Sequence, residues 1–209
     1  MADAIVIVDE KSPSEIIHSW NSGEEDLLAG IADRCNCMRW MHEKSEIRYE
    51  KFNFYLTIPS IMLSTLSGTA TIGIQSLTNY KTEISIIVGI TTLSIGMLTS
   101  LNQYMKSSQF AEAHRAASIA YGKLHRLISS ELAMRRDQRK EAQGFLFNVR
   151  TEQDRLQEVS PGIPDSIIQE FKLVFKHKEG LELPEIVGDL DHVTINKSTQ
   201  NGDLFSTPK

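Results

Sequence analysis

The sequence predicts an all-α membrane protein: a two-span transmembrane helical hairpin joined to long amphipathic cytoplasmic helices that pack as a bundle. Three observations carry this prediction. The run FNFYLTIPSIMLSTLSGTATIGIQSLTNY, from Phe52 to Tyr80, contains no Asp, Glu, Lys, Arg or His. After Lys81 and Glu83 a second uncharged run, ISIIVGITTLSIGMLTSLNQYM, extends from Ile84 to Met105. On either side of this block, apolar residues recur at alternating threes and fours, the period of a helix with one buried stripe. Residues 52–105 therefore hold two charged side chains, where an average composition would place about twelve.

A bilayer core about 30 Å thick needs roughly 20 apolar residues at 1.5 Å rise each. Both runs supply that length, with spans expected over 56–77 and 84–104. Between Ile84 and Leu101 stand ten Ile, Val, Leu and Met residues, which favour insertion by about 3–6 kcal/mol before the hydroxyl and glycine terms are subtracted. Pro59 is expected near the start of the first span, where its missing amide costs little. A soluble buried hairpin is the competing reading, but a water-soluble helix of this length usually carries one charged face, and neither run has one.

Small residues stripe both spans. Ser60, Ser64 and Gly68 recur at four-residue spacing in the first, and Ser85, Gly89, Thr92, Gly96 and Ser100 line one side of the second. Such stripes let two backbones approach closely in lipid and leave hydroxyls free to bond across. They serve either packing within the hairpin or a hydroxyl-lined seam in an oligomer. The connection SLTNYKTE is short, so the spans run antiparallel. Arg34, Arg39, Lys44, Arg48 and Lys51 precede the first, and Lys106, Arg115, Lys123 and Arg126 follow the second, against Lys81 alone in the loop. That bias places both termini in the cytoplasm, where the Asn196 sequon stays unmodified.

The rest of the chain divides by pattern. A polar segment over 1–21 holds an apolar patch that is too short and wrongly flanked for a signal peptide. An amphipathic helix over 22–51 has Ser22 as its expected N-cap, and Ile31, Cys35, Met38, His42, Ser45, Tyr49 and Phe52 form its seam. His42 reads there as a core histidine with satisfied hydrogen bonds rather than a ligand or pH switch. The hairpin occupies 52–105. A long helical region follows over 106–159, with one stripe through Phe110, His114, Ala117, Tyr121, Leu124, Ile128 and Leu132 and another through Ala142, Phe145, Val149 and Leu156. The charged segment MRRDQRKE between them either bends the helix or is its wettest part. SPGIPD then ends it, a short amphipathic helix built on Ile167, Ile168, Phe171 and Phe175 completes residues 160–180, and a polar tail covers 181–209.

Several function classes are disfavoured. A net charge of −5 and a pI near 5.7 argue against a nucleic-acid partner, which needs a basic face. Cys35 and Cys37 point about 200° apart on one helix, so they neither bond each other nor share a metal. No phosphate loop, zinc-protease motif, nucleophile elbow or apolar carboxylate pair is present. The reading is non-enzymatic, with no cofactor and no metal.

The order of parts, with AEAHRAASIAYGKLHRLISSEL on the long helix, resembles the SLATT superfamily of two-transmembrane proteins. The segments IPSIMLSTLSGTATIG, FAEAHRAASIAYGKLHRLI and VSPGIPDSII look like the version encoded by large DNA viruses of algae and amoebae. The likeness covers about Asp33 to Phe175. It implies a hairpin from Leu56 to Met105 and marks Glu112, His114, Arg115 and Tyr121 as family-like positions. Members are thought to act as membrane-perforating effectors, often with a fused sensor domain, and no segment here reads as one. Two roles follow as expectations. In one, the lipid-embedded protein forms a homo-oligomer that makes a pore or perturbs the membrane. In the other, it is a structural protein of a virion or internal membrane, with its C-terminal tail gripping a capsid or other scaffold protein.

Overall fold

The computed structural model describes residues 20–74, 81–176 and 182–188. The first 19 residues, the end of the expected first span at 75–77 with the loop over 78–80, the segment 177–181, and the tail beyond residue 188 lie outside the described residues. So do the Asn196 sequon and the tail's expected partner contacts.

All described secondary structure is helical, with no strand among the described residues. Helix α1 (Ser22–Ile74) runs unbroken for 53 residues, about 80 Å at 1.5 Å per residue. Helices α2 (Lys81–Met105) and α3 (Ser107–Ala133) return alongside it. Helix α4 (Ala142–Val159) and helix α5 (Asp165–Phe175) pack around the charged half of that pair. The order is antiparallel throughout: Ser67 meets Thr92, Thr57 meets Asn102, Tyr49 meets Phe110, and Ala32 meets His125.

The start of α1 departs from expectation. Asn21, not Ser22, is the N-cap: its Oδ1 accepts the Glu24 amide at 3.1 Å, and the Glu24 carboxylate accepts the Asn21 amide at 3.1 Å. This reciprocal capping box satisfies two amides that Ser22, already in the first helical position, cannot reach. Pro59 also differs, because α1 does not begin at the membrane span. The proline lies deep inside a continuous helix, so the carbonyl four residues earlier loses its helical partner.

Between α2 and α3 the helix breaks at a single residue. Lys106 adopts a left-handed conformation with φ 48°, the one non-glycine positive φ among the described residues. Backbone hydrogen bonds still bridge the break, from the Lys106 amide to Asn102 and from the Phe110 amide to Lys106. The charged stretch MRRDQRKE does more than bend the chain. It ends α3 at Ala133, forms a short 3-10 turn (Arg136–Gln138), and lets α4 start under a Glu141 cap. Buried Glu131 accepts the Lys140 amide, and Arg139 donates to the carbonyls of Leu132 and Met134. The polar groups freed by the break are thereby paired.

Two apolar clusters hold the charged half together. Leu28, Ile31 and Cys35 of α1 pack on Tyr121, Leu124 and Ile128 of α3 and on Phe145, Val149 and Leu156 of α4. On the other side of α1, Cys37 and Met41 meet Ile163, Ile167, Phe171 and Val187. Through Val187 the short segment 182–188 returns to α1, and Glu182 pairs with Arg34 at 3.0 Å.

The apolar half is built differently. Two helical stretches, in α1 and in α2 with α3, contain a window long and apolar enough to cross a membrane, with mean hydropathies of 1.2 and 1.9. Those windows are only 11% and 0% buried, whereas a core helix of a soluble domain covers most of its apolar surface with protein. Ile72, Leu93 and Met97 are each more than 70% exposed.

Candidate functional site

Two regions stand out: the facing pair of apolar helices, and the polar layer where α1 meets α3 just beyond them.

The apolar pair is joined along a seam of half-buried residues. Leu56, Ser60, Leu63 and Ser67 of α1 and Val88, Thr91, Ile95 and Leu98 of α2 are half-buried where the two helices pack together. Spacings of three and four on both helices turn one face of each toward the other. Two polar contacts cross this seam, Ser67 Oγ to Thr92 Oγ1 at 3.1 Å and Asn102 Nδ2 to Thr57 Oγ1 at 3.0 Å.

The expected small-residue stripes fall mostly beside the seam. Ser60 sits in it, donating to the Leu56 carbonyl at 2.7 Å. Ser64 lies on an adjoining groove of about 340 Å³ shared with Thr99 and Asn102. Thr92 reaches the seam edge, where its hydroxyl donates to the Val88 carbonyl and accepts from Ser67. Ser85 bonds back to the Lys81 carbonyl. Gly68, Gly89 and Gly96 are open: a methyl group added at any of them would meet nothing within 4 Å. Gly96 and Ser100 instead line an outward hollow of about 890 Å³ walled by Leu93, Met97, Leu101 and Tyr104. The residues that allow closest backbone approach are thus not the ones α1 and α2 use on each other.

The four family-like positions divide by face. Glu112 is exposed, and Arg115 reaches out to Glu46 at 3.9 Å. His114 and Tyr121 are buried at 0% and 1% exposure. His114 meets His42 of α1, which is equally buried, with the two Nδ1 atoms 2.9 Å apart. Around this contact runs an aromatic stack: Phe110 on Tyr49, Tyr49 on His114, and His42 on Tyr121, with ring centroids 5.4–5.5 Å apart.

Two facing imidazole nitrogens bond only if one carries a proton and the other is bare, so the pair holds complementary tautomers. Neither outer nitrogen, Nε2 of His42 or Nε2 of His114, has a partner. His42 is therefore a core histidine, as its place on the seam implied, but not a satisfied one. Burial, with the neighbouring His114 second, pushes its pKa down to about 4, and burial lowers that of His114 too. Tyr121 is pushed up by burial, with Ser160 facing its hydroxyl at a geometry short of a hydrogen bond. The sequence placed both histidines on helical stripes. It held no signal that the two stripes register His against His.

A cavity of about 530 Å³ opens beside Tyr121, between Arg34 and Met38 of α1, Arg150 and Gln157 of α4, and Pro184. Cys35 forms part of its wall, and burial pushes its thiol up to about 12, an unreactive value. Cys35 and Cys37 form no disulfide with each other. Among the described residues no three His, Cys, Asp or Glu side chains gather as a metal site would require.

Comparison with known proteins adds no relative: no family model matches the chain, and neither a curated protein nor a solved structure does.

Proposed function

We propose that this is a non-enzymatic, two-pass integral membrane protein of SLATT type whose copies associate through the open small-residue face of α2 and together perforate the membrane. The observation that carries this reading is the uncovered stripe of Gly89, Gly96 and Ser100 beside a seam that α1 already fills. In lipid, such a face gains its close packing from another helix. Lys and Arg are concentrated at one end of the apolar helices, against Lys81 alone at the other, which favours both termini in the cytoplasm. With no charge inside either span, ion selectivity would be weak and set at the mouths, by Lys51, Lys81, Glu83 and Lys106.

A second reading has its own support. The outward hollow on α2 is walled mainly by Leu93, Met97, Leu101 and Tyr104, which suits helix packing better than a wet path. On that reading the protein is a structural component of a virion or internal membrane that binds a protein shell through its C-terminal tail.

Planar-bilayer conductance of the purified full-length protein separates the two, with oligomer size measured in the same preparation. Discrete steps that Thr92→Leu and Gly96→Leu abolish support the perforating oligomer. An oligomer that forms and never conducts favours the structural role, and a strict monomer removes both the pore and the α2 interface.

A further inference from the structure

The His42–His114 contact lies where a small chemical change would have a long reach. His42 is ten residues before Phe52, where the uncharged run begins, about 15 Å along an unbroken helix. His114 is nine residues after Met105, on the helix that leads out of α2. The contact is the buried polar link between α1 and α3 nearest the apolar half. Beyond it toward the spans are the stacked rings of Tyr49 and Phe110.

The pair has room for one shared proton and none for a second. While neutral, one ring donates Nδ1–H and the other accepts. A first added proton must sit on a buried Nε2 that has no partner, which requires water to enter the layer. A second must go to the accepting Nδ1, which breaks the bond and leaves two imidazolium rings with their facing nitrogens 2.9 Å apart, where like charges repel strongly. Among the described residues no charged group is hydrogen-bonded to either ring to offset this. The groups facing the pair are Tyr49 of α1 and Tyr121 of α3, and Ser45 next to His42 already donates to the Met41 carbonyl. No carboxylate or guanidinium contributes to the titration of either ring. The charged neighbours along the two helices are Glu46, one turn on from His42 and only 19% exposed, whose pKa burial raises, and the more exposed Arg115 next to His114, which pairs with it at 3.9 Å.

We propose that His42 and His114 form a proton-binding site that latches α1 to α3 while neutral and releases them at this layer when it takes up protons. The sign follows from burial. Both pKa values are depressed, so the closed form is favoured at and above the ordinary histidine value of 6.5. It is lost progressively as pH falls from 6.5 toward about 4. The opening is transmitted toward the spans because α1 has no break between His42 and Thr57. This site stands whether or not the spans conduct.

Imidazole nitrogen spectra of the full-length protein, labelled at its six histidines, test the first half. Two rings should be neutral and of opposite tautomer at pH 7.5, and should remain neutral at pH 6 when exposed histidines are charging. Two rings of one tautomer, or a charged ring at pH 7.5, would overturn the site. Spin labels at Arg48→Cys on α1 and Ile119→Cys on α3, both exposed positions, test the second half. Their separation should lengthen reversibly as pH falls from 7 to 4, and should stay constant in the same protein carrying His42→Asn and His114→Asn. A constant separation in the parent protein, or the same lengthening in the histidine-free one, rejects the latch. The spectra on the unmodified protein remain decisive if the double variant does not fold.

Discussion

Asn102 Nδ2 donates to Thr57 Oγ1 at 3.0 Å, and Thr57 Oγ1 in turn donates to Asn53 Oδ1 at 3.3 Å. This amide–hydroxyl–amide relay ties α1 to α2 at the charged end of the apolar pair, where Thr57 is both acceptor and donor. Thr57→Val keeps the shape and removes both bonds. The variant should weaken the α1–α2 association by about 1 kcal/mol, the scale of a polar contact between helices in lipid. Steric trapping of the helix pair in micelles reads that difference directly.

Glu25 closes the turn between α3 and α4. Its carboxylate is held in a two-pronged grip by Arg136, at 2.8 and 2.7 Å, and is also bonded by Arg139. These guanidinium hydrogen bonds, Arg136 first, bring its pKa down to about 2. The depressed value means that the contribution is complete above the ordinary carboxylate range and fades only as pH falls from 4.5 through about 2. Hydrogen exchange in residues 134–141 should therefore stay protected at pH 4 in the parent protein. Glu25→Gln should lose that protection already at neutral pH.

Lys106 holds a backbone conformation that costs an L-residue about 1 kcal/mol and glycine almost nothing. Lys106→Gly should raise the unfolding free energy by up to about that amount, and Lys106→Val, β-branched and worse in the left-handed region, should lower it. Unfolding in detergent with both variants gives the sign. Equal effects would mean that the strain is not local to this residue.

Phe171 anchors α5. It is 1% exposed and meets Trp40 edge-on at 5.5 Å and Phe175 at 4.5 Å. Phe171→Ala should cost about 3–5 kcal/mol in the packing of α5 on α1. Trp40 is one of only two tryptophans, and the other, Trp20, is buried against Phe145. A red shift of the emission in the variant then reports Trp40 coming into water.

Much of the helical pattern was legible because burial follows the helical period. Ile31, Cys35, His42 and Ser45 on α1, and His114, Ala117, Tyr121, Leu124 and Ile128 on α3, were marked by spacing and are buried. Ala142, Phe145, Val149 and Leu156 behave alike. What periodicity cannot supply is which residue faces which across two helices. The His–His contact and the choice of Leu56, Leu63, Ile95 and Leu98 for the α1–α2 seam depend on that register. Capping propensity alone leaves the helix start uncertain by one residue, since Asn21 and Ser22 are both good caps and only the Glu24 reciprocity distinguishes them. The ending of α3 at Ala133 depends on Glu25, more than a hundred residues away, supplying the carboxylate for Arg136 and Arg139.

One asymmetry between the two long arms has a mechanical reading. The outgoing arm, α1, passes from the charged half into the apolar half with no linker, cap or break, and its only proline comes after Thr57. The returning arm changes helix at Lys106. An element without a joint behaves as a shaft, so a twist applied near Ile31 arrives near Leu56 largely undiminished. The returning arm has a swivel at the level where the uncharged run ends, and it can yield there while the shaft turns.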